Sequence, residues 1–128
     1  MPTSVAEIPA ASAAEALAHF SRRLGFETDC ADVHAALKDP DFVLVDVRSP
    51  ALYAKGHVPG AINIPHRELT TERLAAYPPA TLFVVYCAGP HCNGANRAAI
   101  RLARLSRPVK AMIGGLTGWL DEGYALAR

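Results

Sequence analysis

Apolar residues along this chain fall into short unbroken runs separated by stretches with helical spacing. FVLVDV at 42–47 and LFVVY at 82–86 are rich in β-branched and aromatic residues and almost free of polar alternation, the pattern of strands buried on both faces of a parallel sheet. VKAMI at 109–113 predicts a further strand, AINI at 61–64 a short one, and FET at 26–28 an edge strand. Between the runs lie amphipathic segments. Leu17, Phe20 and Leu24 recur at helical spacing over 11–24, and Gly25 supplies a stop. Shorter helices are predicted over 31–38, capped by Thr28 or Asp29, over 50–55, capped by Ser49 with Pro50 in the first turn, and over 68–77, stopped by Pro78-Pro79. Helical composition returns over 95–105 and again over 116–122, with Trp119 on the apolar side. Strands therefore alternate with helices, and right-handed crossovers give an α/β domain with a mostly parallel sheet covered on both faces. Residues 1–9, with two prolines and little pattern, are expected to be a loose arm. The stripe at 11–24 needs a cover, supplied either by the domain or by a second copy of the chain in a homodimer.

The richest stretch is 81–99, TLFVVYCAGPHCNGANRAA. Cys87 ends a buried strand, the turn formers Ala88, Gly89, Pro90, His91, Cys92, Asn93 and Gly94 follow, and a helix then begins. Open parallel sheets bind ligands beyond the carboxyl ends of their strands. A helix amino terminus adds unpaired N–H groups and about half a positive charge, which favour a thiolate or a bound anion. Such surroundings can bring a cysteine pKa from about 8.5 down to roughly 3.5–7.5, where it is a nucleophile at neutral pH.

Composition narrows the field. In 128 residues, 51% apolar and 20% charged, there is room for one core, and a net charge of +1 gives no reason to expect nucleic acid as partner. No stretch approaches the eighteen or so apolar residues of a membrane span, and the start lacks a secretory pattern, so a cytoplasmic protein is expected. Three cysteines, Cys30, Cys87 and Cys92, are too few and too odd a number for a disulfide scaffold. Cys87, His91 and Cys92 lack the paired spacing of zinc sites, so neither metal nor cofactor is expected.

Four motifs in order resemble the rhodanese-like domains: Asp46 and Arg48 as D-x-R, the turn from Tyr53 through His57, Pro59 and Gly60 to Ala61, the strand presenting Cys87, and Gly114-Gly115 followed by Trp119. The resemblance covers about 26–124 and leaves 1–25 as an arm and an extra amino-terminal helix. It implies a five-stranded, mainly parallel sheet flanked by helices, and sulfane sulfur transfer through a persulfide on Cys87, from a small donor such as thiosulfate to a thiol or cyanide acceptor. The loop departs from the usual pattern. Ala98-Ala99 begins eleven residues after Cys87, against nine in the common C-x-x-G-x-R loop, so this loop is longer by two. It also differs from the C-x5-R cradle of the related phosphatases, because the sixth position holds Asn93 and no fixed guanidinium can grip a phosphoryl group.

Asp46 inside an apolar strand must be paired, and with Arg48 it reads as scaffold. His57 and Gly60 read as structural parts of the turn, and Trp119 as core. Arg97, in the first turn of the loop helix, can lend positive potential to the site. His91 either contacts an anionic donor or faces solvent. Cys92 is either a small loop residue or a thiol that attacks the persulfide and closes a disulfide. Three readings follow: a sulfurtransferase using Cys87, a non-catalytic interaction module, and a thiol redox protein using Cys87 and Cys92.

Overall fold

A computed structural model describes all residues, 1–128. The helices are α1 (Ser4–Glu7), α2 (Ala13–Phe26), α3 (Cys30–Ala36), α4 (Pro50–Lys55), α5 (Thr71–Leu74), α6 (Gly94–Arg104) and α7 (Gly115–Asp121). The strands are β1 (Glu27–Thr28), β2 (Val43–Asp46), β3 (Ile62–Asn63), β4 (Phe83–Tyr86) and β5 (Val109–Met112), in the sheet order β1-β5-β4-β2-β3. Every pairing is parallel, with Val43 opposite Phe83, Asp46 opposite Tyr86, and Phe83 opposite Val109.

The period-two alternation of β4 sorts the core into two layers. Phe83, Val85 and Cys87 pack with Val45, Val47, Leu74, Ala98 and Leu102 on the face covered by α5 and α6. Val84 and Tyr86 pack with Cys30, Val33, Leu44, Met112 and Trp119 on the face covered by α3 and α7. This is the expected five-stranded architecture with helices on both faces, and β4 lies at its centre. Cys87 therefore leaves the sheet on the α6 side.

Local differences from the sequence reading have physical causes. Thr3 caps a single helical turn within the arm, through its hydroxyl and the Ala6 N–H. Gly25 does not stop α2, which runs on to Phe26 and ends where Glu27 becomes extended and joins β1. The helix predicted over 68–77 breaks into a 3-10 turn, His66–Glu68, and the short α5, because Thr70 caps a new start through the Arg73 N–H. The domain does not cover α2. Leu17, Phe20 and Leu24 stay 70%, 59% and 72% exposed, since the neighbouring edge strand has two residues and offers no broad face.

At the carboxyl ends of β2 and β4 a buried polar knot ties the strands together. Arg48 donates from Nε to both Asp46 carboxylate oxygens (3.0 and 3.1 Å), and from Nη2 to Asp46 Oδ2 and the Gly56 carbonyl (both 2.7 Å). The Tyr86 hydroxyl donates to Asp46 Oδ2 at 2.8 Å and accepts from Val58 N–H at 3.0 Å. Burial by itself would lower the Arg48 pKa, but the hydrogen bond and charge of Asp46 outweigh it and the net shift is upward. Burial first, and then the Asp46 charge, push Tyr86 upward, so both groups hold their protons at any ordinary pH. Tyr86→Phe removes two buried hydrogen bonds and is expected to cost about 1–3 kcal/mol, while Asp46→Ala strands a buried guanidinium and is expected to cost about 3–5 kcal/mol. Urea unfolding checks both; costs below about 0.5 kcal/mol would mean the knot is ornamental.

Candidate active site

Cys87 follows β4 directly and is 7% exposed. The loop after it is held from behind by α7. The Cys87 carbonyl accepts from Leu116 N–H at 3.0 Å, and the Ala88 carbonyl accepts from Thr117 N–H and the Thr117 hydroxyl, each at 2.9 Å. Because a trans peptide points its C=O and N–H in opposite directions, the Ala88 and Gly89 amides are turned away from α7. The approach is close enough to require glycine. A Cβ on Gly115, whose φ is +59°, would lie 2.5 Å from the Cys87 carbonyl oxygen and 2.9 Å from the Gly89 nitrogen. One on Gly89 would lie 2.6 Å from Thr117 Oγ1. The Gly114-Gly115 turn is thus the support on which the loop rests.

On the other side, α6 begins against the sulfur. A Cβ on Gly94 would meet Cys87 Sγ at 2.7 Å and Cys92 Sγ at 3.3 Å. Asn93, the residue before α6, makes no side-chain cap; its Oδ1 accepts instead from Arg97 Nε at 3.1 Å. Its carbonyl points along the helix to Arg97 N–H, so the Gly94 amide points back and donates to Cys92 Sγ at 3.4 Å. The amides of Ala88, Gly89, His91, Asn93, Ala95 and Asn96 have no acceptor within the chain. Unpaired main-chain donors after a strand and at a helix start favour a bound anion without any cationic side chain. Gly89 O accepts from Cys92 N–H at 3.1 Å, which brings the chain back toward Cys87, and the two cysteines are joined as a disulfide with Cα atoms 6.4 Å apart.

The cleft in front of Cys87, about 590 Å³, is bounded by Gly89, Pro90 and Cys92 of the loop, by Ala95, Asn96, Ala99 and Ile100 of α6, and by the Ala111–Gly115 stretch. Phe26 and Glu27 close it, so the end of the extra helix α2 belongs to the wall. Glu27, its one charged residue, is paired with Arg23 at 2.8 Å. Of the residues the sequence offers for a substrate-binding loop, Gly89, Pro90 and Cys92 line this cleft, and Ala88, His91, Asn93, Gly94 and Arg97 do not. Arg97 joins Arg67, Arg101 and Arg104 around His66 in a separate pocket of about 300 Å³, and none of these arginines forms an ion pair. Burial, then the charges of Arg67, Arg101 and Arg97, lower the His66 pKa, which marks where their field acts.

His57 Nδ1 lies 2.9 Å from the Tyr53 carbonyl, its ring stacks on Tyr53, and its backbone bridges Ala127. Gly60 turns with φ +84°, and Trp119 is fully buried with its indole N–H on the Ala125 carbonyl at 3.0 Å. Cys30 is a contrasting thiol: it sits beneath α7 with Sγ on the Ile113 and Gly115 carbonyls (3.6 and 3.7 Å), and burial, then Asp29 and Glu122, push its pKa up. Sequence reasoning missed Tyr86, whose position opposite Asp46 on the same sheet face was a usable signal, and the α7 backbone, which had none beyond the paired glycines.

A family model described as Rhodanese-like domain matches residues 29–122. The fold is similar to that of the BH2092 protein from Bacillus halodurans, with a TM-score of 0.87 and 34% identity over 91% of this chain and 86% of that one. A stretch of 90 residues, 65% of this chain, is 42% identical to the HTH-type transcriptional regulator Rv0324 of Mycobacterium tuberculosis but spans only 39% of that protein. Thiosulfate sulfurtransferase from Pseudomonas aeruginosa matches with a TM-score of 0.69 and 27% identity over 84% of this chain and 21% of its own. No helix is long and apolar enough to cross a membrane.

Gly115→Ala forces a side chain into left-handed backbone and against the Cys87 carbonyl, so it is expected to destabilise the fold by at least about 1–2 kcal/mol. Thermal or urea unfolding beside a wild-type control reads this; an unchanged midpoint would show that α7 does not carry the loop.

Proposed function

The chain belongs to the rhodanese-like family, and on the geometry of its loop we propose that it is a sulfurtransferase working through a persulfide on Cys87. In the first step the Cys87 thiolate attacks the outer sulfur of a donor such as thiosulfate. The donor's sulfur–sulfur bond breaks, and sulfite departs with the electron pair. In the second, a thiol or cyanide acceptor attacks the outer sulfur of the persulfide and the Cys87 thiolate leaves. Loop amides and the α6 terminus stabilise each anion in turn.

The observation that carries this reading is the contact between Cys87 Sγ and the side-chain-free start of α6 at Gly94. It sets a sulfur beside unpaired N–H groups in a mainly apolar cleft. A cytoplasmic, thiol-reducing setting suits the reading, because the Cys87–Cys92 pair must be open for the first step. That pair also supports a second reading, a dithiol redox protein in which both cysteines cycle without sulfur transfer.

Thiosulfate-to-cyanide turnover tests the proposal. Cys87→Ala is expected to abolish it, while Arg97→Ala is expected to change it by less than about twofold, since an exposed charge beside another pocket is strongly screened. Turnover surviving in Cys87→Ala would overturn the sulfurtransferase reading. Dithiol–disulfide exchange with no thiosulfate turnover in the reduced wild type would favour the redox one.

A further inference from the structure

The cysteine pair suggests what becomes of a persulfide that meets no acceptor. We propose that Cys92 is a second catalytic residue, which attacks Sγ of persulfidated Cys87, expels hydrosulfide and closes the Cys87–Cys92 disulfide. This rests on the persulfide reading of Cys87.

Three features place Cys92 for the step. The turn fixed by Cys92 N–H on the Gly89 carbonyl brings the two Cα atoms to 6.4 Å, inside the range a disulfide spans, and the sulfurs are bonded with β4 and α6 both formed. Gly94 N–H donates to Cys92 Sγ at 3.4 Å, so the helix terminus that favours an anion at Cys87 also favours the attacking thiolate of Cys92. Both sulfurs press on the space a Gly94 Cβ would fill, at 2.7 and 3.3 Å, and both line one cleft. An incoming acceptor and Cys92 therefore compete for the same persulfide, the first from solution and the second from a fixed position with the advantage of proximity.

The step balances without an oxidant. The Cys92 thiolate supplies the electron pair of the new bond to Cys87 Sγ. The bond from Sγ to the outer sulfur breaks, and its pair leaves with that sulfur, which takes a proton from water and departs as hydrosulfide. The two cysteines are oxidised by two electrons and the sulfane sulfur is reduced by two. Attack on the outer sulfur would only move the persulfide to Cys92, whereas attack on the inner atom gives the Cys87–Cys92 disulfide that this loop accommodates. A further round needs an external dithiol to reopen the pair. Without acceptor or dithiol, each chain releases a single sulfide and stops.

The experiment takes the full chain, reduced and desalted under nitrogen, adds thiosulfate without cyanide or thiol, and follows intact mass and free sulfide together. For the wild type we expect stoichiometric sulfide and a mass two hydrogens below the reduced chain, with no disulfide forming when thiosulfate is omitted. For Cys92→Ser, and equally for Cys92→Ala, we expect the added sulfur to stay on Cys87 and sulfide release to slow by at least about tenfold. Wild-type protein that keeps its added sulfur as long as the Cys92 variants do would overturn the role of Cys92 and leave the persulfide intact. Variants that fold but never gain a sulfur would overturn the persulfide reading, and this step with it.

Discussion

Two main-chain carbonyls decide what this site can do. Once Cys87 and Ala88 give their oxygens to the amides of Leu116 and Thr117, the loop has its acceptors on the α7 side and its donors on the other. The seven-residue connection from β4 to α6, 87–93, would otherwise sample many conformations, and fixing it costs about 1–2 kcal/mol of backbone entropy per residue. The anchoring bonds, the glycine at 115 that lets them form, and the buried knot around Asp46 and Tyr86 offset that cost before any substrate arrives. The donors are therefore preorganised, which is what gives electrostatic stabilisation its value in a partly dry cleft.

The same arrangement separates two thiols of one chain. Cys30 and Cys87 are almost equally hidden from solvent, at 5% and 7% exposed. Burial, then the charges of Asp29 and Glu122, push the Cys30 thiol up, and its sulfur rests on two carbonyl oxygens. Cys87 meets the amino end of α6. Similar exposure thus does not make the two thiols alike, because carbonyl oxygens neighbour one sulfur and a helix amino terminus the other. The one charged residue of the cleft, Glu27, is already paired with Arg23, so the unpaired polar groups beside Cys87 are those of the backbone, and Phe26 and Ile100 add apolar wall.

Much of this was legible in residue order. The runs at 42–47 and 82–86 are buried β strands because nothing else accommodates unbroken β-branched sequence of that length between turn formers, and their alternation with helices leaves one sheet topology class. Cys87 could be located for the same reason: a thiol between a buried strand and a helix start has one place to be. Contacts remote in sequence were not legible. The Leu116 and Thr117 amides reach Cys87 and Ala88 across 29 positions, and no local pattern encodes a main-chain bond of that kind. Whether α2 would be covered depended on the width of β1, a property of the sheet edge and not of the helix. The direction taken by Arg97 followed from Asn93, which uses its side chain on the arginine instead of capping α6.

The central claim is that fixed main-chain donors keep the Cys87 sulfur anionic around neutrality, and it is tested most directly by the pH dependence of alkylation. With Cys92→Ser protein, so that a single reactive thiol is followed, the rate of iodoacetamide addition to Cys87 is measured from about pH 8 down to about pH 6. The account predicts a rate that falls by less than about threefold across that range. A fall of roughly seventy- to a hundredfold, as an ordinary thiol titrating near 8.5 would give, would contradict it.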